Sequence, residues 1–149
     1  MKSFTRKTIL FSVTFAVVLA TQSSSAAPTL PNPVLFLTGL EHIVVNGKQV
    51  VRYNYDVLNK DEYPAELFAA APRLPPCGSN TKAARTWVDV YDQSGKRLQG
   101  FCALGKPSDL SLIWFALDED TIPPSYVYIE LTDRQTGTKY KSNLADTTL

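Results

Sequence analysis

His42 is the only histidine in a chain of 149 residues, and Cys77 and Cys102 are the only cysteines. A Ser-His-Asp or Cys-His nucleophile, or a multi-histidine metal site, would therefore have to be built on a single imidazole. Zinc wants four ligands, which two distant cysteines without a matching histidine do not supply. G-x-S-x-G, H-E-x-x-H, G-x-x-x-x-G-K-S/T and G-x-G-x-x-G are all absent, which counts against hydrolase, zinc-protease and nucleotide-binding functions together. Arg85, Lys96, Arg97 and Arg134 are scattered among acids, so the chain carries no footprint for nucleic acid. The densest acidic run, Asp118-Glu119-Asp120, offers hard oxygen ligands of the kind calcium takes, but three successive loop residues rarely aim at one centre and no EF-hand spacing follows. It reads as a solvated turn before Pro123-Pro124. Asp89 and Glu130 could contribute to a carboxylate pair for glycoside hydrolysis, but nothing in the sequence selects a pair. The expectation is a chain with no catalytic residues, no cofactor and no metal.

Long apolar runs are equally scarce. One occurs, from Thr8 to Ala20, after a cationic start at Lys2, Arg6 and Lys7 and before a small polar stretch, Thr21 to Ala27. This three-part pattern is that of a secretory signal, and the apolar part is shorter than the ~20 residues that span a bilayer as a helix. Ser24 and Ala26 supply small residues for cleavage, so residues 1–26 read as a signal peptide, with Ala27 the first mature residue and 27–33 an extended lead-in. No second spanning run follows. The mature part holds 12 basic and 14 acidic residues, a mildly acidic balance that gives no attraction to anionic membranes. Secretion or a periplasmic location places the cysteines where disulfides persist, and a Cys77–Cys102 bridge is expected. Closing that loop would stabilise the fold by about 3.5 kcal/mol in the chain-entropy model.

The apolar period that remains is two. Val51, Tyr53, Tyr55 and Val57 alternate with Arg52, Asn54 and Asp56, and Val127, Ile129 and Leu131 alternate with Tyr128, Glu130 and Thr132, each the mark of a strand with one buried face. Val88 and Val90 repeat the pattern. Asn46-Gly47 predicts a tight hairpin between Ile43-Val44-Val45 and Val50-Val51. Asp92 to Gly95 and Asp133 to Gly137 predict two more. Pro64, Pro72, Pro75 and Pro76 interrupt residues 59–85, which read as a long crossover with at most one helical turn. Leu110 to Leu117 is apolar on alternate residues of both parities, predicting a strand buried between layers. About seven strands without a repeat predict one all-β domain over residues 34–149, a two-layer antiparallel sandwich with Greek-key connections.

Leu112, Trp114 and Leu117, followed by Ile122-x-Pro124, Tyr126-Val127-Tyr128-Ile129 and the turn ending at Gly137, resemble the second half of a fibronectin type III or immunoglobulin-like module. The resemblance implies an interaction or spacer module on a β-sandwich. The mature sequence as a whole is similar to small exported bacterial proteins, on Leu74-Pro75-Pro76-Cys77-Gly78, Arg85 to Tyr91 and Gly100-Phe101-Cys102-Ala103-Leu104; that likeness implies export and assigns no activity.

Aromatic residues are the strongest lead to a surface. Where Val127, Ile129 and Leu131 face inward, Tyr126 and Tyr128 face outward, and Trp87 and Tyr91 share the face of Asp89 if Val88 and Val90 are core. Trp87, Tyr91, Tyr126 and Tyr128 are therefore the candidate binding surface, for a protein partner or, stacked on sugar rings, for a glycan. A covering loop that buries the same rings as a second apolar cluster is the alternative. The functional expectation is a non-catalytic exported or envelope-associated interaction module, with a carbohydrate-binding module and a hydrolase of unrecognised kind as alternatives.

Overall fold

A computed structural model describes residues 29–71 and 83–149 of the chain. Residues 1–26, Ala27 and Cys77 lie outside the described residues.

β1 (Leu35–Val45) and β2 (Lys48–Val57) pair antiparallel. Asn46 and Gly47 between them have φ of 52° and 78°, the left-handed pair that a two-residue hairpin turn requires. β2 pairs on its other side with β5 (Ile113–Asp118), completing a three-stranded sheet. The second sheet holds β4 (Arg97–Phe101), β3 (Thr86–Asp92), β6 (Tyr126–Asp133) and β7 (Lys139–Lys141) in that order, with β8 (Ala145–Asp146) also on β6. β7 and β8 are two stretches of one edge position. Between them Ser142 takes the place of a ladder residue: its N–H donates to the Ile129 carbonyl and its Oγ accepts from the Ile129 N–H, both at 2.9 Å. The described residues thus form eight strands where about seven were expected. The order β1-β2-β5 against β4-β3-β6-β7 makes a two-layer antiparallel β-sandwich of the immunoglobulin and fibronectin III kind.

Alternation along the strands builds the core. Tyr55, Val57, Val88, Val90, Val127, Ile129 and Leu131 are fully buried, and Tyr53, Ile113 and Phe115 nearly so. Tyr53 and Phe115, directly opposite on β2 and β5, stack with ring centroids 4.7 Å apart. Tyr55 has its phenol in the interior, where desolvation raises its pKa and the O–H donates to the Asp146 carbonyl at 3.1 Å.

One expectation needs correction, and one segment does more than its pattern indicated. The crossover after β2 contributes to the core: its 3₁₀ turns, Lys60–Glu62 and Ala65–Phe68, bring Tyr63, Leu67 and Phe68 into it. Tyr63 donates to the Pro31 carbonyl at 2.7 Å, which ties the lead-in to this plug. The run Leu110 to Leu117 is not a strand buried between layers. Its first part belongs to a 3₁₀ turn, Pro107–Leu112, and β5 is an edge strand with Ile113 and Phe115 inward and Trp114 half-buried on the other face. Trp114 is covered from the side, by Phe101 edge-on at 6.1 Å and by Arg52, so a second apolar face did not require a second layer.

The two sheets are stitched at one open edge by Asn143. Its Oδ1 accepts from the Leu35 N–H at 2.8 Å and its Nδ2 donates to the Leu35 carbonyl at 3.0 Å, so a side-chain amide takes the role of a neighbouring strand. Asn143→Ala leaves both groups of buried Leu35 unpaired and is expected to cost about 1–3 kcal/mol. Urea unfolding measures the loss. Hydrogen exchange should locate it at the Leu35 amide, and unchanged protection there would refute the stitch.

Candidate functional site

Inward burial of Val88, Val90, Val127, Ile129 and Leu131 turns the alternate residues of β3 and β6 outward. Trp87 stands opposite Thr132, Asp89 opposite Glu130, and Tyr91 opposite Tyr128. The structure therefore brings Trp87, Tyr91 and Tyr128 onto one sheet face, with Tyr126 at its end. Tyr126 is 44% exposed, and the other three rings are half-buried.

What covers those rings was not visible in the sequence. Tyr91 and Tyr128 stack on each other, centroids 5.3 Å apart. The Lys141 ammonium lies 3.9 Å from the Tyr128 ring centroid, and the Arg134 guanidinium lies 3.8 Å from that of Trp87. Such cation–π contacts are worth about 0.5–1 kcal/mol at exposed sites. The face is thus a lattice of rings capped by cations rather than a bare aromatic strip. Partial burial raises the pKa of the Tyr91 phenol, and the Asp89 and Glu130 carboxylates reinforce the shift. The Trp87 indole N–H is buried and has no hydrogen-bond partner among the described residues.

Asp89 and Glu130, the carboxylates from which no pair could be selected, face each other across β3 and β6. Each is held by its own cation: Arg97 Nε donates to Asp89 at 2.6 Å, and Lys139 Nζ donates to Glu130 at 2.7 Å. The hydrogen bond to Glu130 raises the pKa of Lys139. Gly100 stands beside Asp89, where a Cβ would fall on the Arg97 guanidinium and 2.7 Å from Asp89 Oδ1. Its missing side chain is what lets Arg97 lie across the sheet. Both carboxylates are thus ion-paired on the outer face of the sheet.

The remaining candidates lie elsewhere. The His42 side chain is 67% exposed and pairs with Glu119 at 3.2 Å at the hairpin end of the three-stranded sheet. Asp118, Glu119 and Asp120 line a cavity of about 460 Å³ with Lys48 and Gln49. Among the described residues, no three metal-ligating side chains converge, and none of the described helices is long and apolar enough to cross a membrane. No free cysteine occurs among the described residues.

A second cluster, missed in the sequence, closes the end of the five-stranded sheet. Arg85 donates from Nε and Nη2 to the two Asp133 oxygens at 2.8 and 2.7 Å, and the Gln135 N–H and Thr136 hydroxyl complete the carboxylate's shell. A cavity of about 340 Å³ beside it is lined by Leu30, Pro64, Leu67 and Tyr140.

The chain is similar to a solved structure of a human pre-T cell receptor, at 15% identity and a TM-score of 0.42, over 76% of this chain and 97% of that one. Comparison with protein-family models and with curated proteins finds no match.

Arg85 holds the Asp133 pKa well below the ordinary carboxylate range, with the Gln135 and Thr136 bonds adding to the shift. A depressed carboxylate contributes stability that is complete above its unfolded value of about 3.9 and is lost as pH falls below that value toward the folded one. Asp133→Asn is therefore expected to cost about 2–3 kcal/mol at neutral pH. It should also flatten the fall in stability below about pH 4. Thermal unfolding across pH 2 to 8 checks both, and parallel curves for the two proteins would contradict the assignment.

Proposed function

We propose that this chain is an exported, non-catalytic interaction module, its domain spanning residues 34–149 after a signal of residues 1–26, and that it engages a protein through the outer face of β4-β3-β6-β7. The observation that carries the reading is the convergence of Trp87, Tyr91 and Tyr128 on that face, with exposed Tyr126 at its end and cations over the rings. A sugar needs a free ring face to stack on, whereas Tyr128 gives its π-surface to Tyr91 and Lys141, and Trp87 gives one side to Arg134. The outward groups are N–H donors, aromatic edges and the Tyr126 ring, a mixture typical of protein interfaces. A catalytic reading has weaker support, because Asp89 and Glu130 are neutralised in place and His42 stands far along the other sheet.

A photo-crosslinking amino acid at Tyr126, expressed in the native host, should yield discrete protein adducts. The same group at Leu58, which is 70% exposed beyond the end of β2, should not. Absence of adducts at Tyr126, or identical adducts at both positions, would overturn the reading.

Export also supports a bridge between Cys77 and Cys102. Alkylation of the exported protein without reductant should add no mass at the cysteines, and a double adduct would refute the bridge. Reduction should lower stability by about 3.5 kcal/mol in the chain-entropy model.

A further inference from the structure

The outer face divides its cations into two kinds. Arg97 and Lys139 are spent on Asp89 and Glu130. Arg134 and Lys141 sit over Trp87 and Tyr128, and among the described residues neither makes an ion pair with a carboxylate. A guanidinium placed over a ring still has N–H donors left for bidentate binding of a carboxylate. Stacking also restricts the side chain before any partner arrives, which lowers the ordering cost of binding.

Spacing narrows the partner. Trp87 lies opposite Thr132, four residues along β6 from Tyr128, so the strand positions that carry the two capped rings lie about 14 Å apart along the sheet at ~3.4 Å per residue. That is the separation of side chains i and i+4 on an extended polypeptide. Between them stands the Asp89–Glu130 pair, and Asp146 lies opposite Tyr126 at the sheet end. A face with two outer cations and a centre neutralised by its own ion pairs gives the middle charges of a uniformly charged polyanion no partner. It suits a segment with acids at two positions and neutral residues between.

Resting on the interaction reading above, we propose that this face docks an extended acidic segment of a partner protein, with carboxylates at i and i+4 meeting the Arg134 guanidinium and the Lys141 ammonium. Tyr126, two residues beyond Tyr128 on the same face, provides apolar contact past the second acid.

The test is an NMR titration of the exported protein with a synthetic nonapeptide of Ser and Thr carrying Glu at its second and sixth positions. Saturable shifts at Trp87, Tyr128 and Tyr126 are expected. Moving the second Glu by one residue, or replacing both by Gln, should weaken binding, as should Arg134→Gln and Lys141→Gln separately, each about fivefold. The two variants lie on different parts of the sheet edge, and circular dichroism verifies folding of each. No saturable shift, equal binding of the Gln peptide, or binding unchanged in both folded variants would overturn the proposal. Tighter binding of heparin or of a single-stranded oligonucleotide to these residues would also do so. If Tyr126 adducts in the host persist unchanged in Arg134→Gln/Lys141→Gln, the interaction function stands and the acidic partner fails.

Discussion

Val88, Val90, Val127, Ile129 and Leu131 are wholly withdrawn from solvent, and the geometry of a strand makes everything else on the five-stranded sheet follow from that. Each such side chain contributes roughly 1.5–3 kcal/mol by leaving water. A shift of pairing register by one residue would expose the whole set, so the register is fixed strongly by apolar burial alone. Trp87, Asp89, Tyr91, Tyr128 and Glu130 share the opposite face because their neighbours have to be inside. The candidate surface is thus a consequence of the core, and its spacing is as rigid as the ladder beneath it.

That consequence has a cost, because Asp89 and Glu130 are placed directly opposite each other, and like charges in that relation destabilise a sheet. The flanking strands remove the problem. Arg97 comes from β4 over the space that Gly100 leaves empty, and Lys139 comes from β7. Neutralising the centre of the face in this way leaves the outer cations, Arg134 and Lys141, to rest on rings. The arrangement contributes to the half-burial of Trp87 and Tyr128.

Features that depend on neighbours in the sequence were legible from it. Asn46-Gly47 announces its hairpin because two successive left-handed residues are strained for most side chains, and the alternation of β3 and β6 announces one buried face each. Features that join distant segments were not. Asn143 and Leu35 are separated by 108 positions, and no local pattern marks an amide that will imitate a strand. Tyr63, Leu67 and Phe68 enter the core from a stretch without strand periodicity, through 3₁₀ turns that prolines delimit but do not aim. Trp114 misled for a related reason: its apolar character was read as a second layer, when a lateral ring and a cation suffice to shelter it. For the candidate site, the side on which the aromatics lie followed from periodicity, while their cover did not, because Arg134 and Lys141 reach the rings from the turn after β6 and from β7.

Exposed apolar residues also occur on the first hairpin, where Leu40, Val44 and Val45 are open to solvent. They differ from the sheet face in a way that bears on recognition. Aliphatic side chains on a hairpin edge attract any apolar surface and discriminate little, whereas fixed charges admit one sign of partner and repel the other. Solvent-exposed cations act at a range set by ionic strength, about 8 Å in physiological salt. Their influence therefore falls mainly on the rate of encounter, with the aromatic edges and Tyr126 deciding how long a complex lasts. On the proposed reading such a face selects by charge first and retains by contact second, and both properties would be carried by residues whose positions the buried valines and isoleucine dictate.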